Sequence, residues 1–225
     1  AWPSRRAAVT SAARRVVGSE MPRHWRDVPM RRVVADPSWA RDLARFDAAQ
    51  FGAREAWPRG AWEQALRASS EAYLLYTVEP PREVMERGEA AVFPGTAANS
   101  VEHGATAAVP GAATPNAPSI NALDDLHPPI LAAGGVSLGV EAEILTLAVA
   151  QAVRGQGLGG ALLDDLMTLA RDAGGETMFL EVRSDDPIAT GLYASRGFTA
   201  VGRRPGYYHG RDATIMRCSL AAASA

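Results

Sequence analysis

The sequence predicts one α/β (α+β) domain built on a sheet of about six or seven strands. Three observations carry that expectation. The composition is globular, with 47% hydrophobic and 21% charged residues in 225. Strand-like apolar runs alternate with helical periodicity from residue 30 onward, and a glycine-rich loop sits between a strand and a helix.

The elements follow in order. Residues 1–29 form a basic arm with little periodicity, in which Arg5, Arg6, Arg14, Arg15, Arg23 and Arg26 face only Glu20 and Asp27. An arginine-rich, acid-poor start is compatible with a targeting segment, but Met21 and Met30 are both plausible initiators and favour a mis-assigned or truncated beginning. Arg31 to Ala35 reads as a short strand. Asp36-Pro37-Ser38-Trp39 then opens a helix with Leu43, Phe46 and Ala49 at helical spacing. Gly60 separates it from a second helical run, Trp62 to Ala68, and Ala72 to Val78 is rich in strand formers.

From about residue 80 to 129 the chain is dominated by Ala, Gly, Pro, Asn and Ser, and no arginine occurs between Gly88 and Val153. So little apolar surface cannot offset the entropy of ordering, and a flexible insertion between two strands is expected there. The pattern returns at Ile130 to Val140, a strand or bent hairpin arm interrupted by Gly134-Gly135. Ala142 to Val149 is apolar on both faces, as a central strand would be. Leu158 to Ala173 carries Leu162, Leu163, Leu166, Leu169 and Ala170 on one helical face. A strand (Thr177 to Val182), a short helix (Pro187 to Arg196) and two strands (Phe198 to Arg203, Ala213 to Leu220) complete a domain of residues 30–220. Residues 221–225 form a tail.

Composition removes several chemistries. All 23 basic residues are arginine, which excludes lysine Schiff bases and a phosphate loop of the lysine-containing type. A formal net charge of -2 leaves no electrostatic footprint for direct nucleic-acid binding. Cys218 is the single cysteine, so no intrachain disulfide or cysteine-rich zinc site forms. Cys218 itself reads as a small buried hydrophobe. His24, His103, His127 and His209 are scattered without metal-ligand spacing, and no apolar stretch approaches the roughly 20 residues that span a bilayer. The expectation is a cytoplasmic protein without a metal or membrane partner.

The most informative segment is Arg154-Gly155-Gln156-Gly157-Leu158-Gly159-Gly160. Glycines let the backbone turn tightly and leave its N–H groups bare, and the following helix start adds free donors and a positive dipole end. Together they make a socket for a phosphate or pyrophosphate, with Arg154 adding a bidentate cation at its mouth. Gly155, Gly157 and Gly160 also satisfy the dinucleotide pattern G-x-G-x-x-G, with Glu181 near the position of a ribose-binding acid. Against a dinucleotide, five residues separate Val149 from Gly155, and 65 residues after Gly160 are too few for the rest of a doubly wound sheet.

Arg154 to Gly159 resembles the Q/R-x-x-G-x-G/A signature of the GCN5-related N-acetyltransferases (GNAT). Ile144 to Val149, Leu180 to Arg183, Gly191 to Phe198 and Arg203 to Tyr208 resemble, in order, the subfamily that acetylates the N-terminal alanine of a small-subunit ribosomal protein. The resemblance is dense over Ile144 to Leu220. It is thin over Met30 to Val78, where Glu55-Ala56-Trp57-Pro58 is similar to a Trp/Pro turn near the peptide site.

What the resemblance implies is specific. The fold is a mixed, mostly antiparallel sheet flanked by helices, and acetyl-CoA is the co-substrate. Leu147, Ala148 and Val149 run beside its pantetheine arm, while Arg154, Gly155, Gln156, Gly157, Leu158, Gly159 and Gly160 hold its pyrophosphate. Glu181 is the general base, Tyr193 protonates the departing thiolate, and Asp186 stands where the family often has a pantetheine-binding asparagine. The acceptor is the N-terminus of a ribosomal protein, with a small amine, a lysine side chain or plain acyl-CoA binding as the alternatives. From the residues alone, Glu181 is as readily a solvated or Arg183-paired strand-end carboxylate, and Arg203, Arg204, Tyr207 and Tyr208 as readily an exposed turn as an acceptor groove.

Overall fold

A computed structural model of the chain describes residues 30–79 and 127–221. The basic arm, residues 80–126 of the expected insertion and residues 222–225 lie outside them. In chain order the elements are β1 (Met30–Val34), a 3-10 turn (Pro37–Trp39), α1 (Ala40–Phe51), α2 (Arg59–Ala65), β2 (Glu71–Val78), β3 (Ile130–Ser137), β4 (Glu141–Val149), a second 3-10 turn (Gln151–Val153), α3 (Leu158–Asp172), β5 (Thr177–Arg183), α4 (Pro187–Ala194), β6 (Thr199–Tyr208) and β7 (Arg211–Ser219). The strands make one seven-stranded sheet in the order β1-β2-β3-β4-β5-β7-β6. Every neighbouring pair is antiparallel except β4 and β5.

Helix starts follow local chemistry. Asp36 accepts from the Ser38 N–H at 2.8 Å ahead of Pro37, and Asp186 accepts from the Ala189 N–H at 2.9 Å ahead of Pro187, two uses of the same cap-then-proline device. The chain buries apolar side chains on both sheet faces. On one, Leu162, Leu163, Leu166 and Leu169 of α3 are fully buried with residues of β2 to β5 and β7. On the other, Trp39, Leu43 and Trp62 pack on Tyr73, Leu75 and Ala133. Burying each large side chain contributes on the order of 1.5–3 kcal/mol. Gly134 and Gly135 lie within the continuous strand β3 because both faces press on it. A Cβ at Gly134 would come within 2.7 Å of Leu166, and one at Gly135 would enter the Tyr73 ring.

Two expectations change. Gly60 does not break a helix; it lies in the first turn of α2, which begins at Arg59, where its backbone freedom costs less than in a helix interior. The strand expected to end at Arg203 runs on to Tyr208, because β7 begins at Arg211 and pairs back along it. The reversal is carried by His209 and Gly210, at φ +49° and +94°.

The feature that positions the site is a parting of strands. The β4–β5 ladder covers only Glu141 to Ile144 against Thr177 to Leu180. Beyond it, β4 keeps β3 as its partner. The β3–β4 register jumps from Val136↔Ile144 to Gly135↔Thr146, which leaves Leu145 as a bulge, and a bulge bends its strand. The second half of β4 thus turns away from β5 and leaves one backbone edge open.

Candidate active site

A cavity of about 330 Å³ opens where β4 and β5 part. Thr146 and Leu147 come to it from β4, Glu181 and Arg183 from β5, and Asp186 and Tyr193 from the start and body of α4. Phe51 and Trp57 come from α1 and the loop after it, and Tyr207 and Tyr208 from the end of β6.

One wall is mainly backbone. The β5-facing edge of Leu147, Ala148 and Val149 has no ladder partner among the described strands, and an open strand edge pairs with an extended ligand that carries amides. The glycine loop follows directly. Gly155 and Gly157 lie at φ +70° and +86°, and a Cβ at either would meet nothing within 4 Å. Glycine is required there for conformation and not for space. Gly157 is the N-cap of α3 and no side chain caps that helix, so its first N–H groups and positive dipole end face the mouth. Leu158, 1% exposed, anchors the helix start in the core. A Cβ on Gly159 would touch Leu192 and Val149 at 3.5 Å, so the bare backbone brings α3 against α4 and β4. Gln156 is half-buried within the loop.

Two arginines frame this wall. Arg154 donates through Nε to the Val149 carbonyl at 3.0 Å and through Nη2 to Gln50 Oε1 at 2.9 Å, tying the loop to the end of β4 and to α1. Arg196 lies directly over Gly160, where a Cβ would run into its guanidinium. Asp164 at 3.2 Å and Ser195 Oγ at 2.8 Å hold it there.

The other wall is made of side chains. The Glu181 side chain is 13% exposed and its Oε1 pairs with Arg204 Nη1 at 2.9 Å, so the alternative partner considered for it, Arg183, is not the one it takes. Arg183 pairs with Glu55 from the loop between α1 and α2, and its guanidinium also lies 5.7 Å from the Tyr208 ring centroid. The neighbouring Glu181 carboxylate raises the Tyr207 phenol pKa, and Tyr208 Oη donates to the Glu181 carbonyl at 3.1 Å. Burial, with Glu181 and Tyr207 close by, pushes the Tyr208 phenol up to about 12. Asp47, buried in α1, accepts from the Trp57 N–H at 2.6 Å and so fixes the Trp/Pro turn at the cavity.

Tyr193 is 8% exposed and packs edge-on to Phe198 with ring centroids 5.8 Å apart. Burial is the largest cause that raises its pKa, reinforced by Tyr208 and Asp186, so its phenol stays protonated at neutral pH. Asp186 lines the same cavity, but its Oδ1 serves as the cap of α4. Cys218 is buried in β7, with its thiol pushed up to about 11 by burial.

A cavity with an open strand edge and an anion socket on one side, and a carboxylate and a protonated phenol on the other, has the parts for acyl transfer from an extended anionic thioester to an amine. Residues 115–198 match the model of the acetyltransferase (GNAT) family. That segment is similar to the GNAT family. N-alpha-acetyltransferase RimI of Mycobacterium tuberculosis is 44% identical over 79 residues, 34% of this chain and 48% of that protein. The crystal structure of the Escherichia coli ribosomal-protein-S18-alanine N-acetyltransferase superposes with TM-score 0.58 at 18% identity, covering 87% of this chain and 97% of that one. Arabidopsis thaliana NAA60 in complex with acetyl-CoA gives 0.57 at 12% identity, covering 85% and 98%. These superpositions establish the GNAT fold for the described sheet and helices. The chain spans about half the length, or less, of the curated relatives it matches.

Of the residues expected from sequence, Leu147, Glu181, Asp186 and Tyr193 line one cavity, and Ala148 to Gly160 lead away from it along β4 to the mouth of α3. Arg203 is turned to Asp212 at 2.5 Å, away from Glu181. Asp47, Phe51 and Arg54 carry no sequence signal, and Glu55 carries one only through the Trp/Pro turn, because each reaches the site when α1 and its following loop fold over the end of β5. Among the described residues no cluster of His, Cys, Asp and Glu could hold a metal, and no helix is long and apolar enough to cross a membrane.

Proposed function

We propose that this protein transfers an acetyl group from acetyl-CoA to the N-terminal α-amine of a protein, with the N-terminal alanine of a small-subunit ribosomal protein as the acceptor. The observation that carries the reading is the convergence of Glu181 and Tyr193 on the cavity at the open edge of β4, beside an uncapped helix start that carries left-handed glycines. The names of the Mycobacterium tuberculosis and Escherichia coli relatives support the choice of acceptor.

Acetyl-CoA supplies the activated acetyl group; the rest is done by the chain. The amides of Gly155 to Gly160 bind the diphosphate, with Arg154 and Arg196 supplying positive charge at the mouth. The edge of Leu147 to Val149 aligns the pantetheine arm, and a main-chain N–H near Val149 donates to the thioester oxygen as negative charge develops on it. An α-amine, with its pKa of about 7.7–8.0, is largely protonated at neutral pH, and Glu181 takes its proton. Tyr193, a phenol at neutral pH, gives its proton to the departing sulfur as the C–S bond breaks, and the proton shed by the newly acylated nitrogen restores it. Asp186 holds the start of α4, which carries Tyr193, and faces the arm.

The test is to incubate the protein with acetyl-CoA and a peptide opening Ala-Arg-Tyr-Phe. Acetylation of the α-amine is the expected result. Turnover of only small amines or lysine side chains would move the reading to another acceptor class, and binding of acetyl-CoA without turnover of any amine would remove catalysis from it.

A further inference from the structure

The carboxylate assigned to receive the acceptor's proton already has a cationic partner. Glu181 is nearly covered, whereas the Arg204 side chain that pairs with it at 2.9 Å is 55% exposed. Such a pair is asymmetric. Its guanidinium returns to water at little cost, because exposed ion pairs contribute little, but Glu181 cannot leave its place on β5, where its main chain is paired with β7 and with the Tyr208 hydroxyl.

We propose that Arg204 competes with the acceptor's ammonium group for the Glu181 carboxylate, so that the acceptor enters as the cation and exchanges places with Arg204 before it loses its proton. The inference rests on the reading of Glu181 as the base. It makes Arg204 a specificity-determining residue, since an acceptor without a positive charge has nothing to exchange.

Three placements favour the exchange. The Arg204 guanidinium lies 5.4 Å from the Tyr207 ring centroid, a cation–π position that can hold it after it leaves the carboxylate. Glu143 of β4 is opposite Phe179 of β5, and Glu181, two residues further along β5, is on the same sheet face, so two carboxylates share the Arg204 charge. Glu143 feels both: burial and the charge of Glu181 raise its carboxyl pKa, and Arg204 lowers it. Arg183, the arginine of β5 at the cavity, is committed to Glu55. An α-amine near neutral pH brings the charge that this arrangement accepts.

The experiment compares wild type with Arg204→Met and Arg204→Lys, using saturating acetyl-CoA and the Ala-Arg-Tyr-Phe peptide. Residue 204 is exposed on an exposed edge strand, and the KM for acetyl-CoA reports whether the cavity is intact. Arg204→Met is expected to lower the peptide KM about fivefold, the scale of an exposed ion pair, and to change KM more than kcat. Arg204→Lys, which keeps the competing charge, should stay near wild type. A peptide KM that is unchanged or raised in Arg204→Met, with an active wild type, overturns the competition and leaves the acetyltransferase reading standing. A wild type that binds acetyl-CoA but acetylates no amine removes that reading, and the competition with it.

Discussion

The two walls of the cavity are built by different means. The wall from Leu147 to Gly160 is a contiguous stretch of chain that works through backbone: an open strand edge, two left-handed glycines and an uncapped helix start. The facing wall draws on four separate segments, α1 with its following loop, β5, α4 and the end of β6, and works through side chains held by ion pairs and hydroxyls. A backbone device fails when one residue takes on the wrong conformation. A side-chain wall yields piecemeal, because each pair is individually weak.

The largest expected effect on acetyl-CoA binding is therefore on the first wall. Gly157→Glu places a non-glycine residue at φ +86° and a negative charge at the helix start, and together the strain and repulsion should weaken acetyl-CoA binding roughly 100-fold by calorimetry. Gly157→Asn should lose much less, since asparagine tolerates the left-handed region. Equal losses would show that space, not conformation, makes glycine necessary.

Tyr193→Phe and Glu181→Gln come next. Each should lower kcat by about 100-fold in steady-state assays with acetyl-CoA affinity preserved; a parallel loss of affinity would merge the two walls into one functional unit. Arg183→Leu should be milder. It frees Glu55 and the loop that carries Trp57, so the acceptor KM should rise about fivefold while thermal unfolding shifts by the equivalent of less than about 1 kcal/mol. A larger loss of stability would mean that this link supports the fold as well as the site.

The smallest effect expected is at Asp47. Its carboxyl pKa is raised above the ordinary 3.8, mainly by burial, against the lowering effect of the Trp57 hydrogen bond. A carboxyl raised in the folded protein contributes stability that is complete below its ordinary value and lost as pH rises through the raised one. Asp47→Asn keeps an oxygen for the Trp57 N–H without the charge. Thermal melts should show wild type losing ground to this variant between acidic and neutral pH, and parallel curves would contradict the assigned burial cost.

The wall that is contiguous in sequence is also the one that could be read there. Strand, glycine loop and helix follow one another without a break from Glu141 to Asp172, and each has a local cause: apolar runs for β4, glycine for φ above zero, leucines at helical spacing for α3. Glu181 and Tyr193 were found because they share that stretch's motif order. The sequence offers Arg183 as one partner for Glu181, and the structure gives it Arg204 instead for a physical reason. Arg183 is two residues away on the same strand face, but Glu55 takes it, and the cation that reaches Glu181 comes from β6, 23 residues downstream. Gly60 and the far end of β6 were misread similarly, since a glycine in a first helical turn and a strand prolonged by its neighbour are both settled by context.

By itself the sequence determined the order of strands and helices, the conformation of the glycine loop and the chemical types on offer. Those follow from interactions between residues close in the chain. Tertiary structure alone decided where β4 leaves β5, which carboxylate meets which guanidinium, and how α1 holds Trp57 at the cavity. Such contacts join residues tens to more than a hundred positions apart, and their energies come from packing and desolvation that no local pattern encodes.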